Sequence, residues 1–143
     1  MSNITESCLQ DIRDKITGVD LIKTKVFTVY DERDLMDESY HIVKPCVGIM
    51  NEGVHAVPDQ SNKGMSADQR VALAVVAESK SIGKYDAKTA SLNLLKDMRT
   101  LLRTTKAPGG YPWRFVAEIP VASTGNLVIY VQRWHTRVIL TGS

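Results

Sequence analysis

LVIYVQRWHTRVIL, residues 127–140, is the stretch on which the reading of the chain turns. Side chains of a strand point alternately to its two faces, so Leu127, Ile129 and Val131 share a face with Arg133, His135 and Arg137. Tyr130, Trp134, Val138 and Leu140 occupy the other face. The first face therefore changes from apolar to basic partway along. A strand whose first half lies over its own core and whose second half runs past the core's margin would show this change. On this reading Tyr130, Trp134 and Val138 are free to pack against a neighbouring subunit or a second layer.

Upstream, WRFVAEIPV (113–121) is a second β-prone run, separated from the final one by the turn-forming residues Ala122 to Asn126, which predicts an antiparallel hairpin. Before it, YDAKTASLNLLKDMRTLLRTTK (85–106) carries Ala87, Ala90, Ser91, Leu94, Leu95, Met98, Leu101 and Leu102 along one helical face. Asp86 near its start and Arg99, Arg103 and Lys106 near its end suit the helix dipole. Pro108, Gly109 and Gly110 stop it. RVALAVVAE (70–78) is apolar and valine-rich, as a buried strand requires.

Residues 51–69, NEGVHAVPDQSNKGMSADQ, are polar, rich in Gly, Pro, Ser and Asn, and without period, and so predict a long loop. HIVKPCVGIMNEG (41–53) predicts a strand in which Pro45, lacking an N–H, favours an edge, a bulge or a strand start. TKVFTVY suggests a strand at 26–30. At the N-terminus Ile4, Cys8, Ile12 and Ile16 recur every four residues, with Leu9 widening the stripe, which predicts a helix over about 4–17. Asn3 and Glu6 form a capping-box pattern, and Gly18 fits just beyond the C-terminal end. The order helix, three strands, helix, two strands implies an α+β fold, with two helices packed on a mostly antiparallel sheet of about five strands.

The chain's 143 residues suffice for one domain, 1–143, with a sizeable core. A net charge of +2 is well short of the concentrated positive charge of a dedicated nucleic-acid binder. The N-terminus lacks a basic stretch followed by an apolar core, and no uncharged apolar run approaches the ~20 residues that span a bilayer, so neither secretion nor membrane insertion is expected. Cys8 and Cys46 sit far apart in apolar surroundings and read as buried thiols.

Chemistry is sparse. His41, His55 and His135 lie in separate segments without metal-ligand spacing. His135 between Arg133 and Arg137 has no carboxylate nearby in sequence to orient it as a base. KAPGGYPWR (106–114) lacks the pattern of a phosphate loop and follows a helix rather than a strand. Neither cysteine has a base or cation beside it in sequence to make it a nucleophile. The acidic run Asp31, Glu32, Asp34, Asp37 and Glu38 reads either as a solvated rim or as a contact for a basic partner. Trp134 points away from Arg133 and His135, which argues against the interleaved cations and aromatics that grip single strands. No cofactor or metal is expected.

In organisation the chain resembles the tail terminator proteins of long-tailed bacteriophages. The opening amphipathic helix carries the resemblance, with IVKPCVGIM and the polar segment after it, RVALAVVAE, the leucine-rich helix, WRFVAEIPV and the closing NLVIYVQRWHTRVIL. The resemblance implies a virion protein rather than an enzyme, made in the host bacterial cytoplasm. Its subunits would form a hexameric ring that caps the head-proximal end of the tail tube and stops its polymerisation. The implied partners are further copies of the chain, the tail tube protein and a head-completion or neck protein, with DNA passing through the lumen without specific recognition. Candidate contacts are Pro45, His55, Pro58, Lys63, Arg133, Trp134, His135 and Arg137. Another neck or head-completion protein, and a small nucleic-acid-binding protein, are the alternative readings.

Overall fold

In a computed structural model, the described residues are 3–17, 26–29, 46–57, 65–78, 87–124 and 127–140. Helix α1 spans Ile4–Ile16, and the Asn3 side chain accepts the Glu6 backbone N–H at 2.8 Å, so the predicted N-cap is present. Its stripe Cys8, Ile12 and Ile16 is fully buried. Helix α2 spans Ala87–Arg103 and buries Leu94, Leu95, Met98 and Leu102. Gly18 lies outside the described residues.

The strands are β1 (Val26–Val29), β2 (Cys46–Ala56), β3 (Met65–Glu78), β4 (Arg114–Thr124) and β5 (Leu127–Leu140). They form one sheet in the order β1-β2-β3-β5-β4, in which β1 is parallel to β2 and every other pairing is antiparallel. This is the expected α+β arrangement, element for element. The closing hairpin is present as β4 and β5.

One expectation is narrowed, since an edge was one of three positions expected at Pro45, and one requires correction. Strand β2 is flanked by β1 and β3, so it is internal rather than an edge. Its described part begins at Cys46, and Pro45 itself lies outside the described residues. Nor is 51–69 a long loop. Strand β2 continues to Ala56 and β3 begins at Met65, so the two pair as a polar ribbon through Val54–Gln69, His55–Asp68 and Ala56–Ala67.

Both faces of the sheet bury apolar side chains. On the helix-covered face, α1 and α2 pack on Val26, Val47, Ile49, Val71, Leu73, Val75, Trp134 and Val138. On the other face Phe27, Val29, Cys46, Met50, Ala72, Ala74, Val76, Ile129 and Val131 form a second buried cluster. Alternation on β5 is as expected, and of the two partners expected for its Trp134 face, a neighbouring subunit or a second layer, the second is present within the chain. Trp134 and Val138 face the helices within the chain's own core, whereas Ile129 and Val131 belong to the second cluster.

Polar side chains tie the layers together. Gln132 is fully buried and donates to the Leu95 carbonyl at 2.9 Å and to Glu118 Oε1 at 2.8 Å, while accepting the Trp134 indole N–H at 2.6 Å. Arg99 completes this network through its ion pair with Glu118. On α1, Thr5 donates to Gln69 Oε1 at 2.7 Å, and Gln69 Nε2 donates to Asn51 Oδ1 at 2.8 Å. These bonds satisfy polar groups whose unpaired burial would cost about 1–3 kcal/mol each. They also hold α1 to the point where β2 departs from regular pairing.

Candidate functional site

The register of β2 against β3 shifts between Asn51 and Val54. Gly53 has φ +93°, a left-handed conformation that side chains disfavour, and its N–H donates to Asn51 Oδ1 at 2.9 Å. The bulge presents Glu52 to the second face. There its carboxylate accepts from Arg133 Nε at 3.2 and 3.3 Å, across the intervening β3. The pair is only partly buried, so it aims the guanidinium more than it stabilises the fold.

Cross-strand pairing arranges the other charges in rows. Ala72, Arg133 and Ala117 lie side by side on β3, β5 and β4, and in the next row lie Arg70, His135 and Arg114. The row beyond contains His55, Asp68 and Arg137 on β2, β3 and β5. Directly opposed residues stand about 5 Å apart, so these side chains form one patch. Within it, Glu52, His55, Asp68, Arg70, Arg133 and His135 line a hollow of about 440 Å³ with Val116 and Trp134.

His135 Nδ1 stands 3.6 Å from Asp68 Oδ1, too far for a hydrogen bond, so the two attract only as charges when the imidazole is protonated. His55 Nε2 is 2.9 Å from the Glu52 carbonyl oxygen. Arg70, Arg114 and Arg137 have no carboxylate partner among the described residues. The patch thus offers four arginines against two carboxylates, an arrangement suited to holding an anionic surface. Among the described residues, no group of three or more His, Cys, Asp or Glu side chains could hold a metal ion, and no helix is long and apolar enough to cross a membrane.

Beside the patch runs the edge strand β4. Phe115, Val116, Ile119 and Val121 are exposed on it, at 40–51% of their accessible surface. Pro120 removes one backbone donor, and the register shifts at Phe115/Ala117 and at Pro120/Ala122, features common on edge strands. An apolar edge of this length is a usual mark of a surface covered in an assembly.

Of the residues singled out from sequence, the structure brings His55, Arg133 and His135 together at the hollow, with Arg137 beside them. Trp134 is 1% exposed, so of the two packings expected for it the one against a second layer is present within the chain, and Phe115 packs on it edge-to-face at 5.7 Å. Pro45, Pro58 and Lys63 lie outside the described residues. Sequence reasoning missed Glu52, Asp68, Arg70 and Arg114, because ribbon pairing and a bulge bring them to the basic strand from distant positions. The apolar surplus in WRFVAEIPV was the available signal for an exposed edge. Cys8 and Cys46 are both buried thiols, as expected. Burial, with the Asp11 carboxylate adding to it, pushes the Cys8 thiol from 9.0 up to about 11.

No family model matches the chain, nor does any curated protein. Among solved structures the fold is similar to that of a chain in the virion of a native gene transfer agent particle. The two share 7% sequence identity and a TM-score of 0.66, over 97% of this chain and 99% of that one. At that identity the likeness is one of fold, end to end.

Proposed function

We propose that this chain is a structural virion protein whose copies form a hexameric ring capping the head-proximal end of a phage tail tube. The end-to-end fold likeness to a virion chain is the observation that carries the reading. The exposed apolar edge of β4 supplies the physical means. A head-to-tail contact propagates indefinitely unless its rotation closes it into a ring. A closed ring with one tube-compatible surface therefore both joins the tube and stops it. The other surface receives a neck or head-completion protein, and DNA passes through the lumen without base recognition.

Residues 58–64, with Pro58 and Lys63 between the ends of β2 and β3, are assigned to tube docking, and His55 and the patch arginines to contacts between proteins. Native mass measurement tests the ring, with six copies as the expected result. Replacing 58–64 by a Gly-Ser linker of equal length should leave folding intact and abolish capping.

Adjacent rows of arginine also favour, as a second reading, a small nucleic-acid-binding protein. That reading requires duplex affinity that falls steeply with salt and weakens in Arg133→Ala and Arg137→Ala.

A further inference from the structure

The acidic run at 31–38 has no role in the preceding account. It holds Asp31, Glu32, Asp34, Asp37 and Glu38 against one arginine, Arg33, and lies outside the described residues, so only its place in the chain is used. That place is informative. The run follows Val29, the last residue of β1, and β1 and β4 are the opposite edges of the sheet. Val29 pairs with Met50, Met50 with Ala72, Ala72 with Arg133 and Arg133 with Ala117, so Val29 stands in the row where the arginines begin. Strand β1 is parallel to β2, and β2 continues from Met50 toward Glu52 and His55. Strand β1 therefore ends at one edge of the sheet, at the level of the arginine rows, two residues before the acidic run begins in sequence.

We propose that the Arg70, Arg114 and Arg137 patch beside β4 receives the acidic segment 31–38 of a second copy, joining subunits head to tail with the β1 edge of one against the β4 edge of the next. This rests on the ring reading and names its contact. Three features favour an acidic protein segment over a phosphate backbone. Exposed Val116 lies beside Arg70 and Arg133, exposed Ile119 and Ile139 flank the arginine rows, and none of the three offers anything to a phosphate. Glu52 and Asp68 interrupt the positive charge of the patch, which suits a short run whose carboxylates are broken by Arg33, Leu35 and Met36 better than an unbroken row of phosphates. The chain itself carries the complementary charge, and because the strand that precedes the run in sequence and the strand beside the patch are opposite edges, each copy can give and receive once. That is the requirement for a heterologous ring.

The test is a charge exchange in the full-length chain, with association followed by sedimentation velocity. One variant is Arg114→Glu/Arg137→Glu, the other Asp34→Lys/Asp37→Lys. At ~0.01 M salt, where screening extends about 30 Å, the wild type associates and each variant alone has a dissociation constant raised roughly tenfold or more. In an equimolar mixture every patch faces a segment of opposite charge, so association returns with the variants alternating. Variants that associate like the wild type, or a mixture that stays dissociated, overturn the proposal. So do a wild type that remains monomeric at low salt, and variants whose loss is confined to duplex binding. An acidic run that closes on its own chain's arginines would leave all species monomeric and also overturn it. A ring that assembles normally while the charge exchange has no effect removes this contact and leaves the ring reading standing. Head-to-tail pairing without a closed ring does the reverse.

Discussion

Arg133 Nε donates to both Glu52 carboxylate oxygens, at 3.2 and 3.3 Å, although 81 residues separate them and β3 lies between their strands. The contact exists because the β2 bulge at Gly53 brings Glu52 onto the face that Arg133 already occupies. The basic end of β5 is therefore built by a backbone irregularity on another strand. Each part of that construction has a measurable consequence.

Gly53 at φ +93° is the hinge of the bulge. An added Cβ meets only His55 Nε2 at 3.6 Å, an ordinary contact, so the cost of Gly53→Ala is conformational rather than steric. Thermal or urea unfolding should show about 1–2 kcal/mol of destabilisation. Unchanged stability would mean that the backbone relaxes out of the left-handed region.

Glu52→Gln separates aiming from stability. The pair is about one-third exposed on each side, so its loss should change unfolding free energy by less than about 1 kcal/mol. Denaturation at two salt concentrations checks this. A loss of several kcal/mol would show that the pair is a structural support.

Gln132 stands at the centre of the network joining Trp134, Glu118 and the α2 backbone. Gln132→Leu keeps much of the volume but leaves the Trp134 indole N–H unpaired, with a predicted cost of about 1–3 kcal/mol. Trp134→Ala should cost about 3–5 kcal/mol by opening a cavity. Both belong to unfolding measurements. A wild-type unfolding free energy in Trp134→Ala, with altered association, would return that side chain to an interface.

The Cys8 thiol is raised from 9.0 to about 11 by burial and Asp11, so it is protonated near neutral pH and reacts slowly in the native state. Because the folded value lies above the unfolded one, the associated stability is complete below pH 9.0 and is lost as pH rises toward about 11. Native-state thiol labelling should run at the rate of opening, and urea midpoints should fall across that window by more in the wild type than in Cys8→Ala.

Ile119→Lys places a charge on the exposed apolar edge of β4. Side chains this exposed contribute little to folding, so stability should move by about 0.5 kcal/mol or less. Self-association, followed by sedimentation, should weaken.

The element order was legible because periodicity reports which side chains are covered. Ile4, Cys8, Ile12 and Ile16 marked α1, the leucines marked α2, and the alternation of 127–140 marked β5. Alternation does not say which of two faces the helices cover, so a neighbouring subunit and a second layer both stood open for Trp134, which is 1% exposed beneath the helices. The ribbon of β2 and β3 beyond Asn51 was illegible as strand, because its pairs Val54–Gln69 and His55–Asp68 put polar side chains on both faces. The bulge broke what period remained. Pro45 suggested an edge, a bulge or a strand start because a missing N–H is tolerated at each, and only the pairing of β2 on both sides excludes the edge. Asp68 and Arg70 joined the site only through a pairing register that no local pattern encodes.

The central claim is that a ring of this chain ends a tail tube. Electron microscopy of tubes grown from the tail tube protein, with and without an excess of this chain, tests it most directly. The account predicts that growth halts and that one end of each tube carries a hexameric ring. Tubes that elongate to the same lengths in the presence of the chain, with no ring at either end, would contradict it.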